Sequence, residues 1–67
     1  MKTITLNGEK RVVENVSTVG DLLDVIGLAG KPVVVEHNQQ ALFPREIATA
    51  PVSDGDLIEI VQVTAGG

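Results

Sequence analysis

The sequence predicts an α+β domain with a mixed sheet of four to five strands, one main helix packed on one face, and a flexible C-terminal tail. Three observations predict it. Strand-like segments lie at both ends of the 67-residue chain. An Asn-Gly pair directly follows the first of them, and apolar residues at helical spacing fill a stretch between the two.

Lys2-Thr3-Ile4-Thr5-Leu6 alternates polar and apolar residues, which places Ile4 and Leu6 on one face of a first strand. Asn7-Gly8 is a hairpin signal, because both residues tolerate positive φ. Lys10 to Glu14 then reads as the returning strand. Val12 and Val13 are adjacent, so one of them faces inward, and the pattern leaves open which. Val19, Leu22, Leu23 and Ile26 fall at i, i+3, i+4 and i+7, one face of a helix. Thr18 and Asp21 have the spacing of a capping box at its start, and Gly27 is a natural stop.

Val33 to Glu36 reads as a third strand, His37 to Gln40 as a turn, and Ala41 to Phe43 as a short edge strand ended by Pro44. Arg45 to Ala50 fits one irregular helical turn, and Ser53-Asp54-Gly55-Asp56 a turn by composition. Leu57 to Val63 is the longest apolar run and reads as the last strand, with Ile58 and Ile60 on one face and Val61 and Val63 on the other. A helix covers only one side of a sheet, so Val61 and Val63 either form an exposed docking patch or sit on a partly covered central strand. The expected division is one domain over residues 1–63 and a tail over 64–67. The order strand, strand, helix, strand, short strand, strand is that of the β-grasp fold of ubiquitin, whose first and last strands lie parallel at the sheet centre.

Composition excludes much chemistry. The chain has no cysteine, one histidine and a net charge of −4. Disulfides, thiolate metal sites and a cysteine nucleophile are therefore ruled out. An acidic domain with one aromatic residue is a poor candidate for nucleic acid or an anionic membrane and suits a partner with a basic groove. No apolar run reaches membrane-spanning length, and the first residues lack a signal-peptide pattern, so a cytoplasmic location is expected. His37 in a turn reads as a solvated side chain, and Ser17 and Ser53 read as cap and turn hydroxyls. No calcium-loop, Walker-type or metal-ligand spacing is present, and no catalytic residue is assigned.

What remains is the end of the chain. Glycine makes up about a tenth of the residues, so two terminal glycines arise by chance in about one such chain in a hundred. The pair gains weight from its place, only Thr64-Ala65 beyond the last strand. A terminal carboxylate becomes electrophilic once AMP is transferred to it from ATP, and a sulfur nucleophile can then displace AMP. Glycines pass through a narrow channel because they lack Cβ. Four extended residues reach about 13 Å, enough to enter a partner's active site. Gly67 is then the attachment point, and Thr64, Ala65 and Gly66 the segment that delivers it.

Asn7, Ser17-Thr18-Val19 leading into Leu22-Leu23, the Val-rich strand ending at Asn38, Pro44-Arg45, Asp54-Gly55-Asp56 and Val63-Thr64-Ala65-Gly66-Gly67 together resemble the ThiS family of sulfur carriers in thiamine thiazole biosynthesis. One departure is Gln39, where many relatives carry glycine. The resemblance implies a carrier rather than an enzyme, with no cofactor of its own. A ThiF-like adenylating enzyme of the ubiquitin-activating type would spend ATP to form an acyl-adenylate at Gly67. A persulfide donor would convert this to a thiocarboxylate, and a ThiG-like thiazole synthase would take the sulfur. The same tail would also serve a carrier for molybdopterin or another sulfur-containing metabolite, or a ubiquitin-like protein modifier. An interaction domain with an inert end is a further reading. Arg45 is expected either to pair with an acidic neighbour on this chain or to contact the partner.

Overall fold

The computed structural model describes residues 1–64. Five strands form one sheet: β1 (Lys2–Leu6), β2 (Glu9–Val13), β3 (Val33–His37), β4 (Gln40–Ala41) and β5 (Leu57–Gln62), in the spatial order β2-β1-β5-β3-β4. β1 and β5 run parallel at the centre, and every other neighbouring pair is antiparallel. The helices are α1 (Val19–Val25), between β2 and β3, and the single turn α2 (Pro44–Ile47), between β4 and β5.

One face of the sheet packs on α1. Ile4, Leu6, Val13, Val35, Ile58 and Ile60 from the strands meet Val19, Leu22 and Leu23 from the helix, and Val16 and Val52 close the ends of this aliphatic core. The Val12/Val13 alternative resolves with Val13 inside and Val12 outside. α1 begins in a complete capping box. Thr18 Oγ1 accepts from Asp21 N–H at 3.1 Å, and Asp21 Oδ2 accepts from the N–H groups of Ser17 and Thr18. Those two backbone donors hold the Asp21 carboxyl below its ordinary range. Ser17 and Ser53 thus take part through backbone N–H rather than through their hydroxyls. At Gly20 a Cβ would lie 3.0 Å from the Ala48 carbonyl oxygen, so glycine lets α1 approach the segment that follows α2.

Some boundaries differ from expectation. β2 starts at Glu9 because the two-residue Asn7-Gly8 turn, with φ of 50° and 84°, pairs Leu6 directly with Glu9. β4 is Gln40–Ala41, and Pro44 opens α2 rather than merely ending a strand. The second hairpin turns on Asn38-Gln39, both left-handed at φ 50° and 69°, so His37 belongs to β3 and not to a turn. Gln39 holds this conformation without glycine's freedom, which costs about 1 kcal/mol. Gln39→Gly is therefore expected to raise stability by about 0.5–1 kcal/mol, read as a higher urea midpoint at unchanged slope.

Candidate functional site

Both hairpins clamp β5, the strand that leads to the C-terminus. Asn7 ends β1 with its N–H on the Ile58 carbonyl, and its side-chain amide takes over the pairing. Oδ1 accepts from Ile60 N–H at 2.8 Å, and Nδ2 donates to the Ile60 carbonyl at 3.1 Å. β5 therefore continues past the end of β1 with its backbone groups satisfied. Asn38 does the same work at the other end of β5: its Oδ1 accepts from Leu57 N–H, and its own N–H donates to the Leu57 carbonyl. Composition marks Asn7 as a turn residue, but not its second role as a substitute strand.

Asn38 also reaches Asp56, the one buried charged residue among those described. Asp56 Oδ2 lies 2.7 Å from His37 Nε2 and accepts from Ser53 N–H at 2.8 Å, while Oδ1 accepts from Asn38 Nδ2. An ionised carboxylate only accepts, so His37 Nε2 carries the proton of this bond. Burial pushes the Asp56 carboxyl up, but the hydrogen bonds from His37, Ser53 and Asn38 and the charge of His37 outweigh it, leaving a pKa below the ordinary value. This corrects the reading of His37 as a free, solvated side chain. The two residues are 19 positions apart, so no local pattern announces the pair.

The sheet face opposite α1 carries the exposed apolar residues. Val61 and Val34 lie directly opposite each other in the β5–β3 register and are 62 % and 52 % exposed. Glu36 pairs with Ala41 across β3–β4, and Leu42 N–H donates to the Val35 carbonyl. Continuing that register brings Phe43 level with Val34, and this one aromatic residue of the chain is 59 % exposed. Val61 on β5 and Val34 on β3 thus form a row with Phe43, which lies between β4 and α2, on a face the helix does not cover. Arg45 completes one end: its guanidinium carbon stands 4.9 Å from the Phe43 ring centroid. Of the two expectations for Arg45, the pairing with an acidic neighbour is not seen among the described residues; the side chain stacks on Phe43 instead. Beyond β5, Val63 N–H donates to the Pro32 carbonyl at 2.9 Å, and Val63 and Thr64 are exposed. The sequence-derived docking residues Val61 and Val63 therefore lie next to the point where the chain leaves the sheet. Ala65, Gly66 and Gly67 lie outside the described residues.

On the helical side, a groove of about 670 Å³ runs between α1, α2 and the 29–33 loop. It is lined by Leu23, Val33 and Ile47 with Asp21, Asp24 and Lys31 at its margin, a set that offers no nucleophile-and-base pair. Among the described residues, no group of His, Asp or Glu is arranged to hold a metal ion.

A model described as the ThiS family matches residues 2–67. This chain belongs to the ThiS family. Among its relatives, the sulfur carrier protein ThiS of Thermus thermophilus is 36 % identical over 64 residues, 96 % of this chain and 98 % of that protein. A thiazole synthase of Paramagnetospirillum magneticum is also 36 % identical over 64 residues, but there the match spans 96 % of this chain and 20 % of that protein. The crystal structure of the thiamine biosynthesis protein ThiS from Geobacter metallireducens superposes with a TM-score of 0.79 at 29 % identity, covering 97 % of this chain and 99 % of that one. A solution structure of a thiamine biosynthesis protein from the same organism gives 0.77, covering 97 % and 87 %. The β-grasp expectation therefore holds in strand order, in strand direction and against solved ThiS structures.

Proposed function

We propose that this chain is the sulfur carrier of thiamine thiazole biosynthesis, with its terminal carboxylate as the group that bears sulfur. The observation that carries the reading is the family match, which runs to residue 67 and so includes Gly66-Gly67. The thiazole synthase that contains a segment similar to nearly this whole chain supports a partnership with that enzyme.

The chemistry follows from what the chain lacks. With no cysteine to hold a persulfide, sulfur has to sit on the main chain. The Gly67 carboxylate attacks the α-phosphorus of ATP on a ThiF-like adenylating partner, and pyrophosphate leaves. A persulfide donor then displaces AMP from the acyl-adenylate to give an acyl disulfide, and a thiol attacks the donor's sulfur in that S–S bond, forming a disulfide and releasing the thiocarboxylate. A ThiG-like thiazole synthase takes that sulfur. This chain binds no cofactor; ATP belongs to its partner. The cytoplasm, where these enzymes and ATP meet, is the proposed location. No described helix is long and apolar enough to cross a membrane.

The row of Val61, Val34 and Phe43, with Val63 at the exit and Arg45 stacked on the ring, is the proposed docking face. Apolar side chains with an aromatic and an arginine are the residue types that dominate binding energy at interfaces. Val61→Asp puts a charge in that row without touching the core, so it is expected to weaken capture by the adenylating partner about tenfold or more while the melting temperature stays near its starting value. Titration calorimetry beside a thermal melt reads both. In a reconstituted thiazole synthesis, product is expected to scale with thiocarboxylate-loaded chain. Product formed equally well from an unrelated sulfide source in its absence would argue against the role.

A further inference from the structure

Among the described residues the outer edge of β2 is unpaired, and it is complementary to itself; from this we infer that the chain associates with a second copy through antiparallel β2–β2 pairing. β2 is the outermost strand on its side of the sheet. The two-residue hairpin makes Leu6–Glu9 a hydrogen-bonded pair, and the alternation continues at Ile4–Arg11 and Lys2–Val13. The backbone N–H and C=O groups of Lys10 and Val12 therefore point away from β1, toward solvent, and Glu14 follows Val13 in the bend that ends the strand. Opposite Thr5 and Thr3, the side chains of Lys10 and Val12 stand on the open face, and Val12 is 58 % exposed.

A two-fold axis at Val12 satisfies all of these features together. Val12 meets Val12 of the second copy with both backbone bonds made, and Lys10 lies opposite the second copy's Glu14 twice, once on each side of the axis. The remaining charged residues of β2 find no like charge in this register: Arg11 opposes Val13, and Glu9 lies beyond the second copy's strand, level with its bend. Sliding the pair toward the hairpin sets Arg11 against its own copy, and sliding it further sets Lys10 against its own copy. Like charges directly opposite are destabilising, so the alignment on Val12 is favoured over both. The result is one ten-stranded sheet. β3, β4 and the end of β5 lie away from the joined edges, so the row at Val61, Val34 and Phe43 and the chain end are left uncovered on both copies.

Sedimentation velocity on the full chain, from low micromolar to millimolar concentration at low salt, tests this. A reversible monomer–dimer equilibrium is expected. Lys10→Glu alone and Glu14→Lys alone each set like charges opposite one another and should weaken association about tenfold or more. The two together restore opposite charges and should recover the native constant. Val12→Pro removes the central outward N–H while leaving the β1 pairing intact, and should abolish the dimer. All three exposed positions are outside the core, and circular dichroism checks the fold. A native chain that stays monomeric throughout, or single charge reversals that dimerise as the native chain does, or a double reversal that fails to recover, would each overturn the inference.

Discussion

Deleting Gly66-Gly67 is expected to abolish sulfur loading and leave folding almost untouched. The shortened chain still ends in a carboxylate, now on Ala65, so the reactive group itself is not lost. What is lost is reach: two extended residues span about 7 Å, and catalysis by positioning tolerates errors of about 1 Å. Gly67→Ala is a finer test. It keeps the length and the carboxylate and adds only a Cβ beside the reacting carbon, which narrows the conformations open to the terminus in a tight channel. Loading by the adenylating partner should fall sharply, measured as pyrophosphate released per chain. Among the described residues, the buried core is built from residues between Ile4 and Ile60. Either change should therefore move stability by no more than about 0.5 kcal/mol, or about 4 °C in melting temperature. A large fall in melting temperature would show that the end of the chain is part of the fold.

Asp56→Ala carries the largest expected effect on stability. The carboxylate ties the turn before β5 to the β3–β4 hairpin, accepting from Ser53 N–H, Asn38 Nδ2 and His37 Nε2. Its removal leaves three donors without their acceptor in a largely buried place. A hydrogen bond to a charged group contributes about 1.5–3 kcal/mol, and a stranded donor costs a comparable amount. A loss of about 3 kcal/mol is expected, which lowers the melting temperature of a domain this small by more than about 10 °C.

The same carboxylate sets an acid limit. Its pKa is lowered in the folded protein, so the unfolded chain takes up the proton first as pH falls. The stabilisation is fully present above the unfolded carboxylate range, near pH 4, and is lost as pH drops through the lower folded value. Asp21 adds in the same direction. Thermal melts should show stability falling as pH drops below about 4, and Asp56→Asn should flatten that fall while starting from lower stability. A stability that instead rose as pH dropped below about 4 would contradict this assignment.

The features legible in the sequence are those written in local spacing. Ile4 and Leu6 announce β1 by alternation, Asn7-Gly8 fixes the first hairpin, and Thr18 with Asp21 starts α1 as a capping box in the structure too. Ile58 and Ile60 separate from Val61 by the pleat alone, and burial follows that division. What escapes is long-range or unusual. The His37–Asp56 pair spans 19 positions, and the bonds from Asn7 to Ile60 span 53. Asn38-Gln39 makes a hairpin turn without glycine, which displaced the expected strand end and left His37 misplaced in a loop. Phe43 stands just before α2 and Arg45 lies in its first turn, so the guanidinium stacks on the ring, a contact that residue spacing alone did not announce.

Central to the proposed function is that the carboxylate of Gly67 itself carries the sulfur. Intact-mass spectrometry of the full chain after incubation with ATP, the adenylating partner and a persulfide donor tests this most directly. The predicted result is a mass gain equal to the exchange of one oxygen for sulfur, localised by fragmentation to the last residue and missing when ATP is withheld. An unchanged mass with a partner that adenylates another ThiS-family carrier in parallel, or sulfur found on any other residue, would contradict it.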